Sequence, residues 1–393
     1  MTQTSRVSEV FRAFLLLGVT SFGGPVAHLG YFRTEFVARR KWLTESAYAD
    51  LVALCQFLPG PASSQVGFAL GLMRAGPWGA AMAWLAFTLP SAIVLVLFAF
   101  GAAVLEGPIA SGIIHGLKVV AVAIVAHAVW GMARNLCPDS TRAGIALAAV
   151  FAVVAISGPL GQVGAIVLGG IAGLVLCRGM AATAESEALH FPVSRQVGII
   201  ALVLFGGLLA VLPLLAGMAA WLDITDAFYR SGALVFGGGH VVLPLLEAEV
   251  VQSGWVSADE FLTGYGAAQA IPGPLFTFSA YLGALIPSGG SLLTATLALL
   301  AIFLPGFLLL VGVLPFWNDF RQWQWAQALM RGANAAVVGI LGAALYDPVW
   351  TSAIIGAEEF ALALTGFLLL TVWKLPAWMV VIVVALGGVL IAT

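Results

Sequence analysis

The chain has 393 residues, a formal net charge of −2, 61% hydrophobic residues and only 9% Asp, Glu, Lys or Arg, where a soluble domain carries about 25% charged residues. That composition excludes a water-facing globule, and the near-neutral charge excludes a nucleic-acid surface. Apolar runs recur from Phe11 to Ile391, so the solvent for most of the chain is lipid and no segment is left for a soluble enzyme domain.

In chain order, Met1 to Arg12 carries a few polar residues and no small-residue cleavage site, so this segment is expected to be retained. Four apolar stretches are then interrupted by Gly and Pro, at Phe22 to Pro25, Leu58 to Pro61, Phe236 to Gly239 and Ile271 to Pro274. The resulting pieces of about 12 to 15 residues reach roughly 18 to 22 Å, short of the roughly 30 Å hydrocarbon core. They suit re-entrant hairpins. Besides them, nine full spans are predicted near 77–104, 112–133, 143–158, 162–177, 197–217, 290–316, 328–346, 352–372 and 376–392. The alternative, in which every broken element crosses, gives thirteen membrane segments. Either way the fold class is an all-α integral membrane protein, embedded in a lipid bilayer.

The chain repeats itself. Phe22-Gly23-Gly24-Pro25 returns as Phe236-Gly237-Gly238-Gly239, and Glu35 as Glu249, at an offset of 214. Trp42, Gln56 and Pro59-Gly60-Pro61 return as Trp255, Gln269 and Pro272-Gly273-Pro274 at 213, Leu89-Pro90 as Leu304-Pro305 at 215, and Gly116 as Gly332 at 216. Ordered landmarks at a nearly constant offset predict a first repeat over 1–180, a linker and extra helix over 181–217, and a second repeat over 218–393. The single extra span makes the second repeat enter the membrane from the opposite side, so the repeats are predicted to be inverted in topology. With the N-terminus cytoplasmic and the C-terminus periplasmic, all basic residues but Arg230 and Lys118 fall on the cytoplasmic side, as the positive-inside rule requires.

Inverted repeats with broken helices place a substrate near the midplane, where uncapped backbone N–H groups and helix dipoles attract an anion. The candidate ligands are Gly23, Gly24, Gly60, Gly237, Gly238 and Gly273, where backbone can approach closely, and the donors Gln56, Ser63, Ser64, Gln65, Gln269 and Thr277. Each has a plainer role open to it: helix kinks for Gly and Pro, interhelical hydrogen bonds for the glutamines, capping for the hydroxyls. His28, Glu35, Lys118, His240 and Glu249 are candidates for proton coupling or charge relay. For the glutamates, pairing with Arg39 and Arg40 is the competing role; for Lys118, neutralising a carboxylate. Cys55, Cys137 and Cys177 show no CxxC spacing and no clustered His, so no metal or other cofactor is expected. Nothing resembles an HExxH or phosphate-loop motif, which argues against an enzyme, with an intramembrane lipid-modifying enzyme as the contrary class.

The FGGP at 22–25 with Glu35 and Trp42-Leu43, the QFLPGP at 56–61 with Gln65, and their copies FGGGH at 236–240 and QAIPGP at 269–274 resemble the chromate ion transporter family in its two-domain, long-chain form. The resemblance covers nearly the whole chain apart from the linker around Ala181 to Arg195. It implies export of chromate from the bacterial cytoplasm across the inner (plasma) membrane, driven by the proton motive force and conferring chromate resistance. Sulfate is the structurally similar anion, and a sulfate importer of the same architecture is the nearest alternative. A homo-oligomer is compatible with the sequence.

Overall fold

The computed structural model describes residues 3–102, 107–156, 158–178, 191–236, 238–286, 291–317 and 323–392. Gly237 and most of the linker, 181–190, lie outside them. Among the described residues there is no strand, and sixteen helices of eight residues or more follow in order. They are α1 (Gln3–Thr20), α2 (Gly24–Phe32), α3 (Glu45–Phe57), α4 (Ala62–Ala102), α5 (Pro108–Leu136), α6 (Ser140–Ala155), α7 (Pro159–Leu176) and α8 (Arg195–Leu215). The rest are α9 (Ala220–Ala233), α10 (Val242–Val250), α11 (Ala258–Ala270), α12 (Phe278–Leu285), α13 (Leu292–Val313), α14 (Gln324–Ala344), α15 (Ala357–Thr371) and α16 (Ala377–Ala392). Non-helical Ala75 and Gly76 split α4 into two arms. With that split, each of the described helices of the first repeat has a counterpart in the second, and among the described helices α8 alone is left between them.

Each broken element turns back on itself. Phe14 of α1 stacks on Phe36 (4.8 Å) and meets Phe32 (5.5 Å), and Glu9 reaches Arg40 (3.5 Å) and Arg74 (2.9 Å), so the chain descends beside the helix it climbed. The guanidinium of Arg74, at the end of the first arm of α4, lies 5.3 Å from the Trp42 ring, and Arg33 pairs with Glu45 at the start of α3. Residues 9, 40, 42, 45 and 74 thus gather at one edge. In the second repeat the Tyr281 hydroxyl of α12 donates to the Glu260 carbonyl of α11 (2.9 Å), and its ring fills the space beside Gly264. The α11–α12 hairpin opens at the other edge, because Asp259 at its start pairs with Lys118, in the half of α5 remote from Arg134. The hairpins of the two repeats therefore open in opposite directions.

Among the described residues six helices are long and apolar enough to cross a membrane: α4, α5, α7, α8, α13 and α14. The other predicted spans, α6, α15 and α16, have 16, 15 and 16 residues, about 22 to 24 Å at 1.5 Å per residue. The repeats interlock rather than stand apart. A Cβ on Gly112 or Gly116 of α5 would come within 2.6 Å of Val389 or Ala385 of α16, and Gly169 and Gly173 of α7 press equally close to Gly332 of α14. Each α5-type helix thus packs against the last helix of the other repeat. Lipid tails give no hydrophobic drive between helices, so small residues at four-residue spacing, which let backbones touch, hold this scaffold.

Candidate functional site

The four breaks meet at the centre, joined across the repeats. Gly60 N–H donates to the Val235 carbonyl (2.7 Å) and Gly273 N–H to the Ser21 carbonyl (3.1 Å). These bonds are equivalents of one another: each PGP loop is tied to the residue just before the other repeat's FGG turn. Gly60 (φ 118°) and Gly273 (φ 109°) share a left-handed conformation that a side chain would strain. Both also lack room, since a Cβ would sit 3.0 Å from Gly306 Cα at the first and 2.7 Å from Ser91 Oγ at the second. Gly306 follows Pro305 and Ser91 follows Pro90, so each loop rests on the proline position of the other repeat's long helix.

Around this knot the helix starts are left uncapped by side chains: α2 after Gly23, the turn at Gly239–Val241 after Gly238, and the turn at Leu275–Thr277 after Pro274. Open space surrounds Gly24, and the nearest atom a Cβ at Gly238 would meet is Met132 Sδ, at 3.9 Å. The hydroxyls of Ser21 and Ser64 and the Nε2 of Gln269, each within a turn of a break in the sequence, and the hydroxyl of Thr88, two residues before Pro90, are buried and without a hydrogen-bond partner. Buried idle donors such as these are costly unless a guest accepts from them.

The predicted ligands therefore divide. Ser64 and Gln269 keep free donors. Gln65 spends its Nε2 on the Pro59 (3.0 Å) and Gly306 (2.9 Å) carbonyls and bridges the repeats, and Thr277 spends its hydroxyl proton on the Pro274 carbonyl (2.7 Å). Gln56 is exposed on α3 although its equivalent Gln269 is buried. Ser63 is buried 3.4 Å from His28 Nδ1. The Ser21 carbonyl can only accept, so His28 Nε2, 3.2 Å away, carries the proton and Nδ1 accepts from Ser63. His240 Nδ1 meets the Tyr265 hydroxyl at 2.8 Å.

The charged candidates lie away from the breaks. Glu35 is eleven positions beyond Gly24, roughly 15 Å along the helix, and is held by Arg40 (2.6 Å) and Arg39 (3.1 Å). Burial pushes its carboxyl up, and the hydrogen bonds and charges of Arg40 and Arg39 outweigh this and hold it below the usual carboxylate range. Glu249 is clamped by Arg230 (2.8 Å), and Lys118 neutralises Asp259 (3.0 Å). Ser21, Thr88 and Ser91 were invisible to the repeat comparison, because their equivalents are Val235, Phe303 and Gly306. Their only signal was proximity to Phe22 and Pro90. Among the described residues no group of His, Cys, Asp or Glu could hold a metal ion.

Comparison with known proteins places this architecture. The chromate transporter family pattern matches twice, over residues 8–174 and 222–390. A probable chromate transport protein of Synechococcus elongatus is 27% identical over 98% of this chain and 95% of its own length. A chromate transport protein of Pseudomonas aeruginosa is 25% identical over 96% of this chain and 90% of its own. The uncharacterized transporter YwrA of Bacillus subtilis, 29% identical, matches over 94% of its length but only 42% of this chain, about one repeat. No solved structure matches.

Proposed function

The chain belongs to the chromate transporter family, and from that membership we propose that it exports chromate across a bacterial inner membrane, driven by the proton motive force. The observation that carries the reading is the central knot, where uncapped helix starts and the unpartnered donors of Ser21, Ser64, Thr88 and Gln269 converge while Glu35 and Glu249 are held elsewhere by arginines. Donors without carboxylates select a dianion, and a site straddling two inverted repeats suits alternating access. A dianion leaving an inside-negative cell gains about 4.6 kcal/mol per 100 mV. Sulfate has the same charge and shape and competes for the same donors.

The topology follows from charge: the edge with Arg33, Arg39, Arg40, Lys41 and Arg74 is cytoplasmic, the N-terminus lies there and the C-terminus is periplasmic. His28 links protons to the site. The Ser21 carbonyl accepts from both His28 Nε2–H and Gly273 N–H. Protonating Nδ1 turns it into a donor, so Ser63 must turn its own proton away, toward an anion.

Equilibrium binding of chromate to purified protein tests the site: Ser64→Ala and Gln269→Ala each weaken binding about tenfold, whereas unchanged affinity in folded variants removes these residues from it. A lipid-modifying enzyme would rest on the Ser63–His28 contact of 3.4 Å. Consumption of a lipid substrate by the purified protein, abolished by Ser63→Ala, would favour that reading over transport.

A further inference from the structure

The repeats share landmarks but not surroundings. On α2 and the helical segment Arg33–Arg39 that continues it, Gly30 and Thr34 are exposed and Ala27 half-buried, while their equivalents Pro244, Ala248 and Val241 are buried. On α3, Ala49, Ala53 and Gln56 are exposed, while Leu262, Gly266 and Gln269 are buried. Gly266 lies against the Leu117 carbonyl of α5, and one residue on, Lys118 grips Asp259 at 3.0 Å. Along the exposed face of α2 runs a groove of about 670 Å³, reaching from Ala27 past Gly30 and Thr34 to Arg33 and Glu45 at the edge.

α5 and α14 are equivalents, and the second repeat's hairpin packs on both, α11 on α5 and α10 on α14, whereas α2 and α3 keep the faces named above exposed. The equivalent of Lys118 on α14 is Asn334, whose Oδ1 is buried without a partner. The equivalent of Asp259 on α3 is Ser46, which is exposed. A free acceptor on α14 thus corresponds to an exposed donor on α3, at the positions that are bonded between α5 and α11.

Resting on the transport reading above, we propose that the structure is one end state of the transport cycle, open along α2 and α3 and closed at α10 and α11. The other end state is reached when the repeats exchange environments. In it α10 and α11 leave α14 and α5, breaking the Lys118–Asp259 pair, and α2 and α3 take up the equivalent places, with α3 on α14, where the Ser46 hydroxyl donates to Asn334 Oδ1. The groove along α2 is the anion's vestibule, and Arg33 and Glu45 set the charge at its mouth.

The test uses the full chain with Cys55, Cys137 and Cys177 replaced by alanine, in membranes where it still transports. Two double variants, Lys118→Cys with Asp259→Cys and Ser46→Cys with Asn334→Cys, are treated with a short thiol cross-linker. Both are expected to cross-link and each cross-link to stop transport. A third cysteine, Ala53→Cys, reacts with a membrane-impermeant thiol reagent when the first pair is locked, and at least tenfold more slowly when the second is locked. Failure of the Ser46–Asn334 pair to cross-link in transporting protein, or equal labelling of Ala53→Cys in both locks, overturns the proposal. Disulfide formation through Ala53→Cys between two copies of the chain also overturns it, by making that face an interface. None of these outcomes depends on which anion is carried, so chromate flux by the unmodified chain reports on the transport reading separately.

Discussion

Pro25 and Gly239 are equivalent positions of the two repeats, and they touch: a Cβ on Gly239 would stand 2.9 Å from Pro25 Cγ. A residue that meets its own equivalent lies on the axis relating the repeats. The reciprocal bonds Gly60 to Val235 and Gly273 to Ser21 surround that axis, which puts the four helix breaks at the one place both halves of a transport cycle share.

Crowding the axis is therefore expected to cost binding before it costs folding. Gly239→Val pushes the two FGG turns apart and lowers chromate affinity at least tenfold, with the helical circular dichroism spectrum unchanged. Gly164, where an added Cβ would meet nothing within 4 Å, serves as the control, and Gly164→Ala leaves affinity as it was.

Gln65 ties the repeats together through the Pro59 and Gly306 carbonyls, and this role is expected to outweigh any contact with the anion. Gln65→Leu leaves the Pro59 and Gly306 carbonyls unpaired, and about 1 to 3 kcal/mol of stability is lost for such buried groups. The melting temperature in detergent falls, and the chromate affinity of the protein that remains folded changes less than threefold. A larger loss of affinity than of stability would make Gln65 a ligand.

Glu35 gives a pH dependence with a defined sign. Its carboxyl is held below the usual range in the folded protein, so the unfolded chain binds the proton first as pH falls. Its contribution is fully present above the ordinary glutamate value of about 4.3 and is lost as pH drops through the lower folded value. Glu35→Gln lowers stability at pH 7 by about 1 to 3 kcal/mol, and the gap to the parent chain closes under acid. A gap that widened on acidification would contradict the assignment of Arg40 and Arg39 as its partners.

The breaks and the duplication were legible because Gly and Pro leave a mark on any apolar stretch, and two such breaks returning in the same order at a nearly constant offset leave little else to read. Glu35 beside Arg39 and Arg40 was legible for a similar reason, since the partners are four and five positions away. The partner of Lys118 was not, because Asp259 is 141 positions distant and no local pattern connects them. The interlocking of α5 with α16 was half legible: Gly112 and Gly116 announce a close-packed face but not what packs on it. Least legible was the unlike burial of Gln56 and Gln269, since equivalence in sequence does not fix which hairpin is packed and which is exposed.

The central claim is that the knot at the axis carries an oxyanion outward under the proton motive force. Chromate uptake into everted vesicles, energised inside-positive and inside-acid, measures it most directly. The account predicts uptake that requires the protein, collapses with an uncoupler, is inhibited by sulfate and falls at least tenfold with Gln269→Ala. Protein-dependent uptake indifferent to the uncoupler, or no protein-dependent chromate flux at all, would contradict it.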